Sequence, residues 1–89
     1  MQTIYKYQLS ISEALTLTLP AGAKFLHAAE QYGQVAAWFQ VDNAANAPTT
    51  TRRLALVNTG APVPANAEHL ASIVFPGGHF VTHLFEVLS

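Results

Sequence analysis

The closing stretch SIVFPGGHFVTHLFEVLS, residues 72–89, constrains the fold of this chain most strongly. It holds two apolar segments joined by Pro76-Gly77-Gly78, the pattern of a β-hairpin. Side chains alternate along a strand, so in residues 79–87 His79, Val81, His83, Phe85 and Val87 share one face. Phe80, Thr82, Leu84 and Glu86 share the other. Both faces are largely apolar, and a strand of that kind sits in the middle of its sheet or has its second face covered. Pro76 lacks the N–H a central ladder position needs, which places the turn at the Pro-Gly-Gly step.

The upstream segments read as further strands. Residues 3–11 alternate, with Tyr5, Tyr7, Leu9 and Ile11 on one side and Lys6, Gln8 and Ser10 on a wet side. In residues 15–19 Leu15, Leu17 and Leu19 lie opposite Thr16 and Thr18, and Pro20-Ala21-Gly22 ends the run. The short connection between these two predicts an antiparallel pair. Residues 24–30 and 35–42 predict a hairpin around Tyr32-Gly33-Gln34, with Val35, Ala37, Phe39 and Val41 on one face and Trp38 and Gln40 on the other. The alanines of HAAEQYGQVAAW also suit a helix, but Gly33 would cost it about 1 kcal/mol, and the β-branched and aromatic residues favour strand. Residues 42–51 read as a polar surface loop, residues 52–58 as a strand, and TGAPVP as a restrained connection. Asn66 is suited to cap one helical turn over residues 66–69. The expected architecture is a single all-β domain over residues 1–89, an antiparallel meander of six or seven strands closing into a small barrel or sandwich.

Composition narrows the partners. Of 89 residues 51% are hydrophobic and 10% charged, against about 25% charged in an average globular chain, which leaves apolar surface to cover and predicts a homo-oligomer. Four Lys or Arg against five Asp or Glu provide no basic field for long nucleic acid. No cysteine is present, so disulfides and thiolate chemistry are excluded. No apolar run approaches the roughly 20 residues of a membrane-spanning helix, and MQTIYKYQ lacks a signal peptide's apolar centre. The expectation is an intracellular protein with no membrane partner.

Catalytic and metal chemistry find little support. His79 and His83 would stand roughly 13 Å apart on a strand, too far to share one metal ion, and a zinc site would need a histidine from elsewhere, so no metal and no cofactor are expected. Ser10, Ser12, Ser72 and Ser89 lie outside any nucleophile motif, and Glu30, Glu68 and Glu86 could meet His27, His69 or His83 only through the fold. The expectation is a protein that is not an enzyme, with no catalytic residue. PAGA and PGGH lack the helix and lysine of a phosphate-binding loop and read as turns. Arg52 and Arg53 are the only basic pair, and on a strand they face opposite ways, so at most one joins a given pocket.

The segments TIYKYQL, LPAGAKFLHA, QYGQVAAWFQVD, NTGAPVP and GGHFVTHLFE, in this order, resemble a family of short tailed-bacteriophage and prophage proteins, a domain of unknown function. The opening TIYKY, LPAGAKFLH and the closing HLFE are the most specific parts, and the resemblance covers nearly the whole chain. Relatives often carry histidine between the glycine and proline of the TG-x-P-x-P loop, where this chain has Ala61. The resemblance implies a viral accessory protein acting in the host cell cytoplasm. Such proteins commonly work by occupying something, here a host defence protein or a signalling nucleotide, in counter-defence. A small virion or assembly protein is the alternative.

A recognition surface is expected at NTGAPVP, because loops on a rigid sheet carry recognition and two prolines reduce the entropy lost on ordering. Arg53 begins the strand that feeds this loop and His69 ends the connection leaving it. Arg53, Asn58, Thr59 and His69, with Trp38 as an aromatic neighbour, are therefore the candidate ligand-binding residues.

Overall fold

The computed structural model describes residues 1–10, 14–44 and 46–88. Seven strands and no helices occur among them: β1 (Gln2–Leu9), β2 (Leu15–Pro20), β3 (Lys24–Gln31), β4 (Gln34–Asp42), β5 (Thr49–Asn58), β6 (Ala67–Val74) and β7 (Val81–Val87). They form two antiparallel sheets, β1-β4-β3 and β2-β5-β7-β6, packed as a sandwich, and the closed barrel is not the form adopted. The chain is all-β, as the alternation predicts.

The two predicted hairpins are present. Gln31 pairs with Gln34 around Tyr32 and Gly33, both at positive φ (54° and 79°), the conformation that matches a two-residue loop to strand twist. The Glu30 carboxylate accepts the Gly33 N–H at 2.7 Å and holds this turn. Val74 pairs with Val81 in the β6–β7 hairpin, where the Gly78 N–H donates to the Phe75 carbonyl around Pro76-Gly77. The Phe75 and Phe80 rings meet edge to face at 4.9 Å over that turn. β7 lies between β5 and β6, the central place its two apolar faces require.

Four local expectations are corrected. β1 and β2 do not pair: β1 lies beside β4 and β2 beside β5, in different sheets. Each is apolar on one side only, and placing them in opposite sheets with those sides inward lets Leu9, Leu15, Leu17 and Leu19 share one core. The end of the first expected strand at Ile11, Ser12 and Glu13 lie outside the described residues, as does Ser89. Residues 67–69 are strand rather than a helical turn, and Asn66 takes φ 56°, a left-handed value that asparagine tolerates, immediately before β6. β5 begins at Thr49, earlier than expected, because Thr49, Thr50 and Thr51 continue the ladder with Pro20, Leu19 and Thr18. β7 begins at Val81, which leaves His79 in the turn.

The core lies between the sheets. Leu9, Leu19, Val35, Phe39, Val41, Leu54, Leu56, Ile73 and Leu84 are buried there. Phe39 is its aromatic centre, with Tyr7 at 5.8 Å and Phe25 at 5.6 Å, both edge to face. A bulge between Phe25 and His27 keeps Phe25 and Ala28 on the core side although they are three residues apart. Arg52 closes one end of the core: its Nε and Nη2 each donate at 2.7 Å to the Glu86 carboxylate, its Nη1 donates to the Ala23 carbonyl, and its guanidinium lies 5.4 Å from the Phe39 ring centre. The Glu86 hydrogen bonds raise the Arg52 pKa above its ordinary value, against the opposing effect of burial.

Candidate functional site

The outward face of the four-stranded sheet carries a connected polar cluster. Leu54 and Leu56 point to the core, so Arg53, Ala55 and Val57 follow the outward side of β5, with Thr59 just past its end. On β7, Thr82, Leu84 and Glu86 point inward and Val81, His83, Phe85 and Val87 outward. Register then builds rows across the sheet: Val57, His83 and Ser72 in one, Ala55, Phe85 and His69 in the next, Arg53, Val87 and Ala67 in a third.

A bulge makes this face possible. In a regular strand His69 and Ser72, three residues apart, would point opposite ways. The register slips between His69 and Ala71, so His69 lies beside Phe85 while Ser72 still lies beside His83. The His69 ring meets Phe85 edge to face at 5.3 Å and stands 6.3 Å from the His83 ring.

The side chains form a directed hydrogen-bond chain. The Thr59 hydroxyl donates to the Val81 carbonyl at 3.3 Å, which leaves its oxygen to accept from His83 Nε2 at 2.9 Å. Neutral His83 then carries its proton on Nε2, and Nδ1 accepts the Ser72 hydroxyl proton at 2.7 Å. Ser72 Oγ in turn accepts from His69 Nε2 at 2.9 Å. These donor directions are assigned from the network, each hydroxyl having one proton to give. Both nitrogens of His83 are thus held, and the Thr59 N–H also donates to the Val81 carbonyl at 3.2 Å, which anchors that end in backbone.

A strap leads from this row. Asn58 pairs with Thr82 at one end of β7 and Ala67 with Val87 at the other, so residues 59–66 travel back along the sheet. The Ala61 N–H donates to the Asn58 carbonyl across a turn in which Gly60 takes φ 93°, a conformation suited to glycine. The strap ends where the Leu88 N–H donates to the Asn66 carbonyl. Ala61, Pro62, Val63 and Pro64 wall a cavity of about 440 Å³ with Leu56, Val57, Asn58 and Ala14. Ala55 and Val57 are buried although they follow the outward side.

Of the residues expected at the site, Thr59 and His69 are joined through the Ser72–His83 chain. Asn58 contributes its backbone carbonyl to the strap turn, and its register with core-facing Thr82 turns it from the outward row. Arg53 shares the outward face two rows from His83, in register with Val87. Trp38 is not their neighbour: it lies on the outward side of the three-stranded sheet, where its ring stands 5.9 Å from His27, and the two outer faces of a sandwich look opposite ways. Ser72 and His83, the centre of the chain, were not among the expected residues. Ser72 did appear among the serines, but strict alternation could not bring it to His69.

The cluster offers two imidazoles and two hydroxyls to solvent. It can donate or accept hydrogen bonds and pass a proton along the row, and Ser72 stands with a nitrogen base oriented by a third group. Among the described residues no group of three or more His, Asp or Glu could hold a metal ion. Nor is any helix among them long and apolar enough to cross a membrane.

No curated protein and no solved structure matches the chain. A family model does match, and over all of residues 1–89: the chain belongs to the family described as a domain of unknown function, DUF7352.

Proposed function

We propose that this is a bacteriophage-encoded binding protein that acts without catalysis, countering host antiviral defence by occupying a defence protein or a signalling nucleotide in the host cell cytoplasm. The observation that carries the binding reading is the Thr59–His83–Ser72–His69 chain on the outward face of the four-stranded sheet. Four polar side chains are held there by one another and by the backbone, and such preorganisation lowers the entropy cost of recognition. The phage setting rests on the resemblance of TIYKYQL, LPAGAKFLHA and GGHFVTHLFE to short phage proteins. Ser72 stands on an open sheet face and does not line the cavity under the strap, which favours recognition over chemistry that needs water excluded.

The test is a binding screen of purified protein against cyclic dinucleotides, ADP-ribose derivatives and candidate defence proteins, with Ser72→Ala and His83→Asn as controls. Saturable binding that both substitutions weaken, with folding retained, supports the reading. A ligand held equally well by both variants moves the site elsewhere, and a phage lacking the gene that plates normally on every defended host removes the counter-defence role.

The virion or assembly reading has its own observation. β1 is an edge strand, with Ile4 58% and Tyr5 42% exposed, and an exposed edge is a template for pairing with another chain. Self-association through that edge would satisfy the homo-oligomer expected from composition. Stoichiometric protein in purified particles would decide for this alternative.

A further inference from the structure

We infer that the face around Ser72 binds an oxyanion of the phosphate or sulfate class, and that binding takes up one proton. The inference rests on the binding reading above and names the ligand chemistry of the same site.

In the neutral state the chain is closed. Ser72 gives its proton to His83 Nδ1, and Thr59 gives its proton to the Val81 carbonyl. Neither hydroxyl has a proton left for a ligand. Protonating His83 at Nδ1 changes this: the imidazolium donates to both hydroxyl oxygens, and the Ser72 O–H is released to turn outward. An anion over Ser72 then meets that hydroxyl beside the two imidazole rings it bridges, whose centres are 6.3 Å apart, with Phe85 against His69. The added proton supplies both the charge and the donor, and hydrogen bonds between charged groups are the stronger kind.

The surroundings have the matching sign. From β5 the same side carries Arg53, from β6 His69 and Ser72, and from β7 no titratable group besides His83. His79 lies in the β6–β7 turn, and the strap, residues 59–66, contains no ionisable side chain. The described carboxylates are directed elsewhere: Glu86 is bound to Arg52 on the core side, Glu68 is in register with Glu86, and Glu30 and Asp42 belong to the other sheet. Among the described residues, an anion therefore approaches the two imidazoles with no carboxylate in their rows.

Sulfate is the suitable probe, because it keeps its charge across the range in which histidine titrates, so any pH dependence belongs to the protein. The measurement follows the imidazole resonances of His69 and His83 on titration with sodium sulfate, with sodium chloride at equal ionic strength as the reference. Saturable shifts at both rings are expected near pH 5.5, and affinity should weaken by about tenfold for each unit of pH once binding requires uptake of a proton. Ser72→Ala should weaken sulfate several-fold near pH 5.5 while the Thr59–His83 contact persists, and His83→Asn should abolish the pH dependence. Shifts that chloride reproduces, equal affinity at pH 5.5 and pH 8, or wild-type affinity in Ser72→Ala would each overturn the inference. Such a failure leaves the binding reading standing if a neutral ligand or a protein still requires Ser72 and His83 in the screen. Loss of both results removes the site altogether.

Discussion

Ser72 and His83 lie in register on neighbouring strands, with the serine oxygen 2.7 Å from Nδ1, while the opposite nitrogen of the same ring is held by Thr59 at 2.9 Å. This double grip assigns the tautomer. Nitrogen-detected NMR above the range of histidine titration is expected to find the His83 proton on Nε2. Thr59→Val removes the oxygen that Nε2–H meets, so the ring should populate both tautomers and stability should fall by about 1 kcal/mol. An Nδ1–H ring in the native protein would contradict the assigned chain.

The Arg52–Glu86 pair closes the core end with two parallel hydrogen bonds, both partners being largely shielded from water. Glu86→Gln keeps the shape but removes the charge that faces the guanidinium. A loss of about 2 kcal/mol is expected in denaturant unfolding, because the remaining partner stays charged and poorly solvated. The deficit should persist in high salt, unlike that of an exposed pair.

Thr82 is fully buried between the sheets, and its hydroxyl oxygen has no hydrogen-bond partner among the described residues. Thr82→Val exchanges that hydroxyl for a methyl of similar size. The variant is expected to be more stable than the parent by about 1 kcal/mol, since an unsatisfied buried polar group is removed. A melting temperature lowered by the substitution would mean that the hydroxyl is satisfied in solution.

Tyr32 takes φ 54° in the β3–β4 turn with its side chain 93% exposed. Tyr32→Asn should stabilise by roughly 0.5–1 kcal/mol, because asparagine enters the left-handed region at lower cost and Asn-Gly is the favoured pair for such a turn. Thermal unfolding of the two proteins reads the difference directly.

The sequence made the strands legible where alternation is strict. Val35, Ala37, Phe39 and Val41 face the core as their spacing predicts, and the two-sided pattern of β7 matches its central place. It failed where the ladder slips. The bulge after His69 brings His69 and Ser72 to one face, and nothing in EHLAS marks the extra residue. The pairing of β1 and β2 was misread for a different reason: a short connection permits a hairpin, but it also permits a crossing between sheets, and burial of two one-sided strands decided between them. Thr59 and His69 were within reach of reasoning about the loop. Ser72 and His83 required the register of β6 on β7, which is a tertiary fact.

The position of β7 has a consequence for how the protein is made. β5 and β6 never pair with each other; each meets only β7 on that side of the sheet, and β7 follows both in the chain. Until β7 is in place, β6 has no ladder partner and the β7-facing edge of β5 is bare. Unpaired strand edges are where nascent chains stick to one another. The hydroxyl–imidazole chain cannot exist before that either, since His83 lies on β7. Sheet completion and site assembly are thus one event, coupled to the docking of the same seven residues.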